Sequence, residues 1–448
     1  QTCALPISLE WLLKCHINLI QFYDWSYRHD SLVAPQEDYH DMMGKEISGS
    51  TVKAKIAKAK ALGMHPTAYG AVYAASKPFF EKHPTWAFYN SCQEPFVFID
   101  VFYIMNIAEG SPWRKHLFEE YQSAISMMGF SGIHMDTYGF PKTAYSHLDA
   151  IPKKIKLEDE LPTLIDETRE NVHGEEEPYL IFNNVGAWPV QRTADRKQDA
   201  VYIEVWPPYD RYASIAQLIR DARTYAKDDK SIILAAYLKP FREGKREKAL
   251  PAAKLLMGSI VSNGATHLLT GENQTALTQG YYSDYTKFSD SEAEAIRRYY
   301  DYMIRYENLF FDPELQDVTM THTGWDNYEY QCTSHKVSSY GEAGKIWMIL
   351  REKDYRKCIY LLNLCGQSED YWNEGKEEPI IQKDIKFTVQ VDTPVEKICF
   401  STPDEENMDA IELSFTERAT KTGKFIDFTV PSLNYWTTIW IDTRKETI

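Results

Sequence analysis

Two acidic residues stand alone at the ends of apolar, strand-like runs. Asp136 closes Gly132-Ile133-His134-Met135-Asp136, and Glu204 follows Tyr202-Ile203, just before Val205-Trp206-Pro207-Pro208. A charge at the end of a buried strand is costly unless something requires it. Two carboxylates over a water-excluding, aromatic-rich pocket are what glycosidic cleavage needs. One attacks or stabilises the anomeric carbon, and the other, its pKa raised by burial, protonates the leaving oxygen. The plain structural alternatives are that Asp136 caps the following helix and that Glu204 pairs with an arginine.

Two further runs end in polar residues. One is Gln21-Phe22-Tyr23-Asp24-Trp25, with Arg28 and His29 just beyond; the other is Phe182-Asn183-Asn184-Val185-Gly186. The two asparagines read either as turn formers or as hydrogen-bonding groups for sugar hydroxyls. Trp25, Trp188 and Trp206 suit either a core or a stacking role, and the proline-rich surroundings of Trp206 favour a rim position over a pyranose. Tyr23, Asp24, His29, Tyr69, His134, Asn184, Trp206 and Glu272 are expected to line the sugar-binding pocket; loop packing is the alternative for Tyr69 and Glu272. His29 and His134 belong to no His-x-x-x-His pair and have no evident third ligand, so neither a metal nor a cofactor is expected. No G-x-S-x-G nucleophile elbow occurs.

These residues need a scaffold that brings strand ends together. Candidate strands are Asn18–Trp25, Pro66–Ala75, Gly132–Asp136, Tyr179–Asn183, Ala200–Val205, Ser231–Leu238 and Thr266–Thr270, mostly continuous apolar runs as expected of covered parallel strands. Helical periodicity alternates with them at Ser50–Leu62, Arg114–Met128, Pro162–Val172, Ile215–Lys227 and Ala249–Val261. Such alternation predicts a (β/α)8 TIM-type barrel or an open doubly wound sheet. The absence of a G-x-G-x-x-G and of a P-loop favours the barrel, with catalytic groups at the C-terminal strand ends. Seven strands are one short. A helix at Leu9–His16 without a strand before it, and a leader Gln1–Ile7 that reads like translated library adaptor, lead to the expectation of an N-terminally truncated chain whose first barrel strand is missing. After the long helical segment Asp290–Leu309 the texture changes at Asp312-Pro313 to short, turn-punctuated strands. The expected organisation is a non-native leader (1–7), a barrel (8–311) and an all-β antiparallel sandwich (312–448).

The chain has 448 residues and a formal net charge of −16, with 14% aromatic residues. An acidic, aromatic-rich protein suits uncharged rings and repels polyanions, so nucleic acid is excluded as the partner. Seven irregularly spaced cysteines without a C-x-x-C argue for idle thiols, not a zinc ribbon or a disulfide framework. No apolar run is long enough to span a bilayer, and no signal peptide is visible. A monomer is expected.

At these same residues the chain resembles glycoside hydrolase family 66, the endo-dextranases and cycloisomaltooligosaccharide glucanotransferases. The resemblance rests on 21–29 (QFYDWSYRH), 129–137 (GFSGIHMDT), 202–206 (YIEVW), 264–273 (GATHLLTGEN), 299–302 (YYDY) and 305–309 (RYENL), in the family's order. It implies Asp136 as nucleophile and Glu204 as general acid/base of a retaining attack on α-1,6-glucan. It also implies an immunoglobulin-like N-terminal domain ahead of the barrel, and a bacterial protein acting at an extracellular, cell-surface or periplasmic location. His134 departs from the glutamine frequent in the family, which touches fine specificity only. The cyclising transferases insert a carbohydrate-binding module in the later half of the barrel. Here residues 239–265 leave no room for one, so dextran hydrolysis is expected over cyclisation; a non-catalytic carbohydrate-binding fragment is the third reading.

Overall fold

A computed structural model describes residues 9–227, 230–281, 286–324 and 327–444; the expected leader lies outside them. The chain divides into two compact units: the chain up to Trp206 together with Asp221–Ala235, and Pro207–Arg220 together with the chain from Ala236 onward.

In the first unit six parallel strands neighbour one another in sequence order: β1 (Leu19–Phe22), β2 (His65–Ala71), β3 (Gly132–Asp136), β4 (Tyr179–Val185), β5 (Ala200–Glu204) and β6 (Ser231–Ala235). β3 falls where the sequence placed it, because its apolar run stops at the first charge. Side chains alternate across a strand, so register decides which residues share a face. Tyr69 pairs with His134 and Ala71 with Asp136; His134 pairs with Ile181; Asn183 pairs with Tyr202 and Val185 with Glu204. Tyr69, His134, Asp136, Asn183, Tyr202 and Glu204 therefore project from one face, with both carboxylates at the C-terminal ends.

Helices α1 (Gly49–Ala61), α2 (Pro112–Ser123) and α3 (Leu157–Asn171) connect β1 to β2, β2 to β3 and β3 to β4. Helix α2 begins where it should: the Ser111 side chain accepts from the Trp113 amide at 3.3 Å and Pro112 occupies the first turn. It continues as one π-helical turn, Ala124–Met128, and stops at Gly129, whose φ of 86° is left-handed. Tyr121 of α2 lies against β2 and donates to the Gly70 carbonyl at 3.0 Å. A Cβ on Gly70 would stand 2.4 Å from the Tyr121 ring, so only glycine lets the two elements meet.

Three small antiparallel sheets decorate this unit. One joins Asp38–His40 and Glu46–Ser48, another Ala74–Ala75, Phe102–Ile104 and Val97–Phe98, and the third Lys153–Lys156, Thr143–Ser146 and Phe88–Tyr89. Their strands are two to four residues long, too short for a periodic signal.

The second unit holds the strand Thr266–His267, the helix Ala249–Ser262, apolar and buried nearly all round, and the helix Asp290–Arg305, closed at its start by a Ser289–Glu292 capping box. No helix follows Phe310 among the described residues. Two β-sheets do, both mainly antiparallel; in the first, Val337–Ser338 adds a parallel pairing with Ile346–Trp347. One runs Gln316–Asp317, Ile346–Lys353, Arg356–Asn363, Trp436–Thr443, Val395–Ser401, Ile411–Leu413; the other runs Tyr330–Cys332, Gln382–Val391, Gly423–Leu433, Phe415–Thr420. Alternate residues such as Leu350, Ile359, Phe387, Val389, Ile426, Phe428 and Ile439 form their common core. The change of texture at Asp312 thus falls inside this unit. Its apolar helix needs cover, and Gly258 lets that helix approach Leu362 and Trp436. No helix among the described residues is long and apolar enough to cross a membrane.

Candidate active site

Strand order β3-β4-β5 places Asn183 between the two carboxylates. Its Nδ2 donates to Asp136 Oδ1 at 2.7 Å and to Glu204 Oε2 at 3.3 Å. Those two oxygens are therefore no more than about 6 Å apart, the sum of the two distances. The Tyr69 hydroxyl donates to Asp136 Oδ2 at 2.7 Å. Asp136 does not cap a helix, and among the described residues Glu204 has no arginine or lysine partner.

Burial, and after it the charge of Glu204, push the Asp136 carboxyl up to about 7, against the opposing hydrogen bonds from Tyr69 and Asn183. Burial and the nearby Asp136 hold the Tyr69 phenol well above its ordinary range, so it remains a donor. His134 lies on the same face two residues before Asp136, buried and edge-on to the Tyr202 ring at 4.6 Å. Desolvation lowers it to about 3, and His29 to about 4, so both stay neutral near pH 7.

Of the other expected residues, Tyr23 and His29 lie beside Tyr69. The Tyr23 ring meets Tyr69 edge-on at 4.8 Å, and His29 lies 5.8 Å from Tyr69 and 5.2 Å from Phe102. Trp206 is 40% exposed, two residues past Glu204. Asp24 is held in an ion pair with Lys45. Glu272 begins a 3-10 turn, Glu272–Gln274, in the second unit.

Asn184 is placed otherwise than expected. It is fully buried on the opposite face, where Nδ2 donates to the Tyr202 carbonyl at 2.9 Å and Oδ1 accepts from Thr193 at 2.6 Å. No group is left for a sugar. The correction follows from strand alternation: of two adjacent asparagines only one can share the face of Asp136, and it is Asn183. The sequence reading also missed Tyr138, two residues past Asp136. Its ring stacks on Phe98 at 4.4 Å and lies 5.8 Å from Phe102. Position just beyond an acidic strand end was the available signal. Among the described residues, His29 Nδ1 and Asn183 Oδ1 are buried without a hydrogen-bond partner.

Parallel strands joined by helices, with a close pair of carboxylates among tyrosines at their C-terminal ends, define a protein of the α/β class. The chain belongs to glycosyl hydrolase family 66, whose sequence model matches residues 5–440. Two curated relatives, both cycloisomaltooligosaccharide glucanotransferases of Niallia circulans, are 21% and 20% identical over 574 residues, taking in 95% of this chain and 58% of each relative. The chain thus spans little more than half the length of these relatives. Among solved structures it resembles a Paenibacillus sp. cycloisomaltooligosaccharide glucanotransferase complexed with cycloisomaltoheptaose, with a TM-score of 0.88 at 18% identity, covering 98% of this chain and 83% of that one. The maltogenic α-amylase AmyB of Thermotoga neapolitana shares the fold more distantly, at a TM-score of 0.58 and 11% identity over 99% of this chain and 94% of that one.

Proposed function

We propose that this protein cleaves α-1,6-glucosidic linkages of dextran-type glucans with retention, by double displacement on a (β/α)8 scaffold. The observation that carries the reading is the single Asn183 amide reaching both carboxylates. A separation of about 6 Å or less between the bonded oxygens suits direct attack by a carboxylate, roughly 5–5.5 Å between carboxyl groups, and is short of the roughly 6.5–9.5 Å that admits a water between them.

The hydrogen bonds support the assignment of roles. Both Asp136 oxygens accept from donors, whereas among the described residues Glu204 accepts one bond, on Oε2. Donors on both oxygens favour the carboxylate form of Asp136, the form in which it attacks. Asp136 then attacks C1 while Glu204 protonates the leaving oxygen, and Glu204 next deprotonates the acceptor that releases the glucosyl-enzyme. Tyr23, His29, Tyr69, His134, Trp206 and the rings flanking Tyr138 line the sugar pocket, and the protein acts on glucan outside the bacterial cytoplasm.

Water is the proposed acceptor. An alignment of 574 residues is longer than this chain, so the relatives contain positions it lacks, in keeping with the absence of an inserted module between residues 239 and 265. Transfer to a sugar hydroxyl, including cyclisation, is the second reading, and the names of both curated relatives favour it at least as strongly. Incubation with dextran separates the two. Linear isomaltooligosaccharides appearing first as the α-anomer support hydrolysis with retention, and cyclic products assign transfer. Sugar binding without new reducing ends or cyclic products refutes both.

A further inference from the structure

Asn183 is 6% exposed, in the body of β4 with strands on both sides. Its backbone is paired with Tyr202, its carbonyl accepts from Thr137 Oγ1 at 3.5 Å, and the preceding amide, of Phe182, donates to Gln198 Oε1 at 3.1 Å. The side chain therefore extends from a fixed base. Its sense is fixed as well: an amide turned over would set Oδ1 against two carboxylate oxygens, acceptor against acceptor, whereas Nδ2 has one hydrogen for each. Two buried carboxylates repel whenever both are ionised, and among the described residues Asn183 is the side chain bonded to both.

We infer that Asn183 is a positioning residue that sets the distance between Asp136 and Glu204, holding them at the separation a double displacement needs. The inference rests on the double-displacement reading above. Asn183 acts through the carboxylates, so its loss should affect turnover more than binding. It should also move the pH profile, because its hydrogen bond favours the ionised form of Asp136.

The test uses the whole chain with Asn183→Ala and Asn183→Asp, the second keeping the side-chain size should the first not fold. On dextran, kcat should fall about 100-fold, as expected for misplacement of reacting groups, with KM changed less than about twofold. In Asn183→Ala the rising limb of kcat/KM should move to higher pH. In crystals of either variant the two carboxyl groups should lie further apart. Unchanged kcat and pH profile, or an unchanged separation in the crystals, overturns the inference. Asp136→Asn and Glu204→Gln are assayed alongside. If either retains full turnover, the double-displacement reading fails, while the crystal separation still decides whether Asn183 sets the distance.

Discussion

Tyr69 reaches Asp136 from the neighbouring strand, donating its hydroxyl hydrogen to Oδ2 at 2.7 Å. The register sets Tyr69 beside His134, one pleat period below Asp136, so the phenol runs up the shared face before it meets the carboxylate. Tyr69→Phe keeps the ring between Tyr23 and His29 and deletes only this donor. A hydrogen bond to a charged group contributes about 1.5–3 kcal/mol, so kcat/KM should fall roughly 10- to 100-fold. The rising limb should move to higher pH. An unchanged pH profile in steady-state assays on dextran would show that the bond does not tune Asp136.

Replacing the carboxylates separates their roles. Asp136→Asn should abolish turnover of every substrate, because no covalent intermediate forms. Glu204→Gln should spare the first step for an aryl α-glycoside, whose leaving group needs little protonation. Azide added to Glu204→Gln should yield the α-azide after two inversions. Added to Asp136→Gly it should yield the β-azide after one. Exchange of these anomers, read by NMR, would reverse the two roles.

The raised Asp136 carboxyl also bears on stability. Folding lifts it from an ordinary 3.8 to about 7, so the native state holds its proton more tightly than the unfolded chain. Stability supplied in this way is complete below about pH 4 and is lost as pH rises through 7. Asp136→Asn removes that loss. Relative to the parent, its melting temperature should therefore gain about 3 °C or more between pH 4 and pH 8. A difference that stays constant across calorimetric scans over this range would contradict the raised value.

Asn183 and Asn184 should respond in opposite ways. Asn184→Ala deletes the bonds to the Tyr202 carbonyl and from the Thr193 hydroxyl in a fully buried place, at a cost of about 2 kcal/mol. It should lower the denaturation midpoint while kcat/KM per folded molecule holds. A selective loss of turnover with unaltered stability would return Asn184 to the site.

What the sequence showed and what it hid follow from length scale. The run Gly132–Asp136 was legible to the residue, because a charge ends an apolar strand as clearly as a turn does. Helix Pro112–Ser123 and its π-helical continuation were legible as one segment through their periodicity. The choice between Asn183 and Asn184 was not, since it depends on the phase of β4 against β3, and register is a property of paired strands. The Val97–Phe98 and Phe102–Ile104 strands, which set rings beside Tyr138, are too short to stand out. Compactness was hidden too: residues 236–311 read as a continuation of the strand–helix alternation, yet they group with the β-sheets.

The contact between Gly70 and Tyr121 extends the site's tolerances beyond the site. Gly70 follows Tyr69 directly, and its missing side chain is the gap into which α2 leans. A methyl group there would force helix and strand apart at the residue next to the one that holds Asp136, although position 70 carries no side chain of its own. The accuracy of the Tyr69–Asp136 bond is thus machined from behind, by the thickness of the layer between strand and helix. A catalogue of pocket-lining residues would overlook a position at which a single carbon atom can detune the chemistry.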